Sequence, residues 1–158
     1  MSNFNSQKII APIMRFVNMK GIIALKDGML AILPLTVVGS LFLIIGQLPF
    51  EGLNQAIASV FGDTWTEPFM QVYSGTFAIM GLISCFSIGY SYAKNSGVEP
   101  LPAGVLSLSS FFILLKSSYV PAKGEPIGDA IAKVWFGGQG IIWAIIIGLV
   151  VGAIYTVF

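Results

Sequence analysis

The strongest constraint on this chain is a set of long runs that carry no charge. Gly28 to Leu48, Phe69 to Ala93 and Gln139 to Phe158 contain no Asp, Glu, Lys or Arg, and a weaker run, Pro102 to Val120, contains only Lys116. A bilayer core about 30 Å thick is crossed by about 20 apolar residues at 1.5 Å each, so each run is close to spanning length. Inside hydrocarbon an unpaired backbone group costs several kcal/mol, which leaves helices or closed barrels. Barrel strands alternate in polarity over about ten residues, and Ile141 to Val151 does not alternate. The sequence therefore predicts an all-α membrane protein with about four transmembrane helices, over 28–48, 69–93, 102–120 and 139–158. The first run is too long for a cleaved signal peptide, and no clear small-residue cleavage site follows it before Pro49.

Composition agrees and narrows the chemistry. The 158 residues are 56% apolar and 9% charged, against about 25% charged in soluble domains. Eight basic and seven acidic residues give a net charge of +1, with no basic footprint for nucleic acid. The single cysteine, Cys85, excludes an intramolecular disulfide and a zinc site built on several cysteines. There is no histidine, which removes Ser-His-Asp and Cys-His nucleophiles and His-ligated metals. No catalytic residue, metal ligand or cofactor is expected within this chain.

Basic residues are retained on the cytoplasmic side of a membrane. Lys8, Arg15, Lys20 and Lys26 precede the first run and Lys94 follows the second, while Lys123 and Lys133 lie on the other side with Lys116 near its edge. Both termini are read as cytoplasmic. Trp65, Tyr119 and Trp135 then mark the outer interface and Tyr90, Tyr92 and Tyr155 the inner one.

Two further stretches read as amphipathic. From Lys8 to Met19, Ile9, Ile10, Ile13, Met14, Phe16 and Val17 share one helical face, which predicts a surface helix leading through residue 26 into the first span, with Pro12 a point of bending. Leu53, Ile57 and Phe61 recur every four residues behind Gly52, which predicts a short interfacial helix.

Ionisable groups are sparse near the spans. Asp27 and Glu67 stand at the entrances of the first and second spans, where a carboxylate either faces a water-filled vestibule or is stabilised by the helix dipole. Lys116 either meets an anion or extends its amine to the interface. Gly137-Gly138-Gln139-Gly140 lacks the Lys-Ser/Thr ending of a phosphate loop and reads as a re-entry turn. Pro34, followed by Gly39-Ser40, is expected to kink or loosen the first span.

Packing signals are clearer. Gly81, Cys85, Gly89 and Ala93 stand four apart on the second span, as do Ala144, Gly148 and Gly152 on the fourth. Small residues at that spacing let another helix approach closely. That helix belongs either to the same chain or to a second subunit, so Gly81, Cys85, Gly89, Ala144, Gly148 and Gly152 are candidates for both helix packing and a dimer interface.

The order of several motifs resembles one family. Ala24-Leu25-Lys26-Asp27-Gly28-Met29, then Pro34 and Gly39-Ser40-Leu41-Phe42-Leu43, open the series; Gly89-Tyr90-Ser91-Tyr92-Ala93 and Ala103-Gly104-Val105-Leu106-Ser107-Leu108 with Phe111 continue it. Gly138-Gln139-Gly140-Ile141 closes it. This succession resembles the membrane component, enzyme IIC, of the bacterial sugar phosphotransferase system in its lactose/cellobiose/diacetylchitobiose branch.

The resemblance implies a multi-pass protein of the bacterial inner membrane, carrying a disaccharide that a cytosolic IIB phosphocarrier, supplied by IIA, phosphorylates. It implies a sugar site in the C-terminal half, with a histidine and a glutamate near the sugar, and an N-terminal scaffold half that makes a homodimer. Residues 1–158 correspond to most of that scaffold, short of a last helix. No sugar-binding residue transfers to this chain, which on this reading neither transports nor transfers phosphate alone. The alternative is a self-contained four-helix membrane protein, either an assembly factor or a small exporter. An exporter of that kind uses an intramembrane carboxylate, which these spans lack.

Overall fold

The computed structural model describes residues 19–115, 118–119, 127–128 and 131–158. The surface helix expected over residues 8–19 lies outside the described residues except at its end, as does Lys116. Residues 20–26, expected to finish that surface helix, instead form the first turns of a long helix, α1 (Lys20–Gly46), which continues through Pro34. Its 27 residues rise about 40 Å, enough to cross a bilayer.

A short helix follows, α2 (Glu51–Phe61). The Asn54 amide donates to the Leu48 carbonyl at 2.8 Å and ties the start of α2 to the end of α1. No residue of α2 is buried, and Leu53, Val60 and Phe61 are exposed. An apolar edge left bare on a short helix suits the membrane surface.

The second apolar run is helical but broken. α3 (Glu67–Gly75) ends at Thr76, a 3₁₀ turn covers Phe77–Ile79, and α4 (Met80–Ser96) resumes the helix. Thr76 leaves the helical region (φ −123°, ψ −87°), and its hydroxyl donates back to the Val72 carbonyl at 2.6 Å. Threonine offers the backbone a side-chain alternative to helical bonding.

α4 closes with Gly97 at φ +79°, the left-handed conformation that glycine adopts without strain. The Gly97 amide donates to the Lys94 carbonyl at 3.1 Å and the Val98 amide to the Ala93 carbonyl at 3.2 Å. These are the paired bonds of a Schellman terminus. The chain reverses and α5 (Pro100–Leu114) begins on a proline, where the missing N–H costs nothing.

α5 departs from the expected span over 102–120. It has 15 residues and stops at Leu115, which is extended (ψ 138°), so it rises only about 22 Å. Beyond it, β1 (Ser118–Tyr119) pairs antiparallel with β2 (Ile127–Gly128), Ser118 opposite Gly128. Two 3₁₀ turns, Lys133–Phe136 and Gly138–Gly140, lead into α6 (Ile141–Val157).

The chain divides into two compact units. The first takes residues up to Ala31, Ser84–Leu115 and Ile142–Phe158; the second takes Ile32–Ile83 and Lys116–Ile141. The first unit holds most of the core: Ala24, Cys85, Ile88, Ala93, Ala103, Phe111, Ala144 and Ile147, with Ser84, Ser91 and Ser107 also buried. Lipid tails give helices no hydrophobic reason to associate, so small residues and close backbone contact hold such a unit together.

The second unit is built around the helix break. Gly39 of α1 lies against Thr76 and Phe77, where an added Cβ would stand 2.6 Å from the Phe77 Cβ. Gly81 faces the carbonyl oxygens of Phe136 and Gly137, each 2.8 Å from an added Cβ. Non-helical backbone at membrane depth persists only where protein or a water-filled cavity covers it, and here the 3₁₀ turns cover one another. Phe42, Trp65 and Phe69 form an aromatic chain with ring centroids 6.1 and 5.9 Å apart.

Candidate functional site

Apart from Gly81, the candidate small residues on α4 and α6 are engaged inside the first unit. An added Cβ on Gly148 would stand 3.0 Å from the Cys85 carbonyl oxygen, and one on Gly152 would stand 2.7 Å from the Tyr92 Cβ. Gly89 lies against Ser107 and the Ala103 carbonyl of α5. Cys85 and Ala144 are fully buried, and the Cys85 thiol donates to the Ser107 carbonyl at 3.2 Å. Gly81 sits in the second unit against the 3₁₀ turns. Each of the six candidates therefore packs against another segment of its own chain.

The α4 helix is the centre of the first unit. Gly28 of α1 approaches it so closely that an added Cβ would be 2.8 Å from the Ile88 Cα. Ile88 in turn meets Gly148 of α6, and Gly104 of α5 lies against the Phe86 ring. Three helices thus bring a glycine to one helix, which lets their axes approach closely.

Polar chemistry gathers where α1 and α4 meet. Asp27 accepts a hydrogen bond from the Asn95 amide at 3.1 Å and pairs with Lys26 at 3.3 Å. Both charged side chains of that pair are substantially exposed, so the pairing itself adds little stability. A pocket of about 320 Å³ opens beside Asp27, lined on α1 by Ala31 and on α4 by Phe86, Ser87, Tyr90, Ser91, Lys94 and Asn95. Asp27 was legible in sequence as an acid at a span entrance. On α4, Lys94 was legible as a cytoplasmic-side cation, Tyr90 as an interface aromatic and Ser91 as part of a family motif, whereas Phe86, Ser87 and Asn95 carried no such signal, although Ser87, Ser91 and Asn95 repeat every four positions and so share a helix face. Glu67, the other acid noted in sequence, is exposed in the first turn of α3.

Comparison with known proteins places this architecture. The profile of the family described as "Phosphotransferase system, EIIC" matches residues 26–158. The chain belongs to the phosphotransferase-system EIIC family. The EIIC chain is 36% identical over 156 residues to the lichenan permease IIC component of Bacillus subtilis (strain 168), covering 94% of this chain and 34% of that protein. It is also 36% identical over 139 residues to the cellobiose-specific EIIC component of Geobacillus stearothermophilus, covering 84% of this chain and 30% of that one.

Among solved structures, the crystal structure of ChbC, the IIC component of the N,N'-diacetylchitobiose-specific phosphotransferase system, superposes with a TM-score of 0.82. The two are 32% identical, over 94% of this chain and 36% of ChbC. This EIIC chain spans about a third of the length of the relatives it matches. It is an all-α membrane protein of that family, its strands confined, among the described residues, to the two-residue pair β1–β2.

Proposed function

We infer that the chain serves as the N-terminal scaffold of a membrane permease that carries a disaccharide of the cellobiose, lactose or chitobiose type. The sugar is phosphorylated by a IIB partner, itself charged by IIA, as it is released. The observation that carries this reading is the family match across 26–158 together with relatives named for lichenan and cellobiose.

The chain's own part is mechanical. The glycine contacts of α4 support a rigid packed unit, and sugar recognition falls to the C-terminal part of the same permease. The distribution of Lys and Arg supports cytoplasmic termini in a bacterial cell membrane. A homodimer is part of this reading. Because the small residues of α4 and α6 face the chain's own interior, the second subunit meets other apolar surface, such as Leu33, Val37, Leu41 and Ile44 of α1.

Co-expression tests the scaffold role. In cells lacking the lichenan permease, this chain is produced with the C-terminal two-thirds of that permease, and uptake of radiolabelled cellobiose is measured. Uptake is expected only when both pieces are in the membrane. Uptake by this chain alone, or none with both pieces inserted, overturns the reading.

A further inference from the structure

The groove between α1 and α4 holds polar groups that helix packing leaves unused. Asn95 is committed to Asp27. The hydroxyls of Ser87, Tyr90 and Ser91 make no hydrogen bond among the described residues, and the Lys94 ammonium, whose charge acts on Asp27 across the groove, forms no ion pair within 4 Å among them. Ser91 is only 8% exposed, and it lines the pocket. The pocket thus presents one cation and three hydroxyls able to donate, with a carboxylate at its edge. A complementary ligand brings an anionic oxygen-rich group to Lys94 and an ammonium to Asp27, whose oxygens can accept further bonds.

Depth narrows the choice. Lys20, Lys26, Asp27, Lys94 and Glu99 cluster at this end of α1, α4 and α5, and residues 28–48 beyond them carry no charge. Charged side chains avoid hydrocarbon, so the groove opens at headgroup level. It descends past Ser87 to the stacked rings of Phe86 and Tyr90, centroids 6.1 Å apart. At about 320 Å³ it lies at the small end of ligand pockets, with room for a headgroup while longer chains extend outside. Exposed Leu30 gives such chains an apolar surface on α1.

We propose that this groove binds the headgroup of an aminophospholipid, its phosphate on Lys94 and the Ser87, Tyr90 and Ser91 hydroxyls and its ammonium at Asp27. The proposal stands independently of the sugar carried.

The test uses the full chain in nanodiscs of phosphatidylglycerol with graded phosphatidylethanolamine, with retained lipid counted by native mass spectrometry. One phosphatidylethanolamine per chain is expected. Lys94→Gln lowers retention of both lipids about tenfold, Asp27→Asn lowers phosphatidylethanolamine alone, and Lys20→Gln, at the same end but outside the groove, changes neither. Equal retention by wild type and Lys94→Gln overturns the proposal. So does competition by soluble glycerophosphoethanolamine at the same concentration as the lipid, which assigns the groove to a free phosphate ester. Should a variant fail to fold, a photoactivatable phosphatidylethanolamine on the wild-type chain decides: crosslinks on the α4 peptide support the site, and crosslinks only elsewhere refute it.

Discussion

Gly28 of α1 stands against Ile88 of α4 with no room for a side chain between them: an added Cβ would lie 2.7 Å from the Ile88 Cγ1, 2.8 Å from its Cα and 2.9 Å from its amide nitrogen. A flexible side chain can move aside, but the backbone of a buried helix cannot without shifting its neighbours. Gly28→Ala is therefore expected to destabilise the fold by about 1–3 kcal/mol, the usual cost of overpacking. Gly52→Ala, on α2 with nothing within 4 Å of the added atom, is expected to be neutral or to stabilise by up to about 1 kcal/mol through helix propensity. Unfolding in detergent followed by circular dichroism checks both, and equal effects would refute the packing account.

Cys85 is fully buried between α4, α5 and α6, its thiol bonded to Ser107. A maleimide reagent should leave the folded chain unlabelled in membranes and label it fully after denaturation. Rapid labelling in the native membrane would show that this face of α4 is open. Opening of the unit by Gly148→Leu is expected to raise the labelling rate.

The break between α3 and α4 rests on Thr76, whose hydroxyl bonds to the Val72 carbonyl, and on the close approach of Gly39. Thr76→Val keeps the shape and removes the bond, so a loss of about 0.5–1.5 kcal/mol is expected, the usual net contribution of an intramolecular hydrogen bond. Gly39→Leu should cost more, because it drives a side chain into the turn at Thr76 and Phe77. The same unfolding measurement separates them, and a larger effect for Thr76→Val would reverse their order of importance.

Gly97 terminates α4 at φ +79°. Gly97→Ala is expected to cost about 1 kcal/mol from the left-handed backbone, and Gly97→Asn less, because asparagine visits that region more readily. The substitution site has nothing within 4 Å, so steric crowding does not contribute. A smaller loss for alanine than for asparagine would exclude backbone strain as the cause.

Membrane residence and helical class were written in the sequence, as were apolar helices where α2 and α6 lie and across most of α1, because each depends on a local property: the length of a charge-free run, or apolar residues recurring every three to four positions; the start of α1 at Lys20 was not. The family resemblance was legible for the same reason, in motifs read in order along the chain. The end of α5 at Leu114 and the break at Thr76 were not, since apolarity alone carries both runs onward and the outcome turns on what else can bond the backbone.

The small residues of α4 and α6 show the same limit. Their spacing announced a close helix contact, but only the fold decided that Gly148 meets Cys85 and Gly152 meets Tyr92 within one chain. Asp27 and Asn95 are 68 positions apart, and no local pattern links them. Hydrophobicity is a property each segment owns, whereas partners are set by which helix faces come together, and that is decided by the packing of all the helices at once.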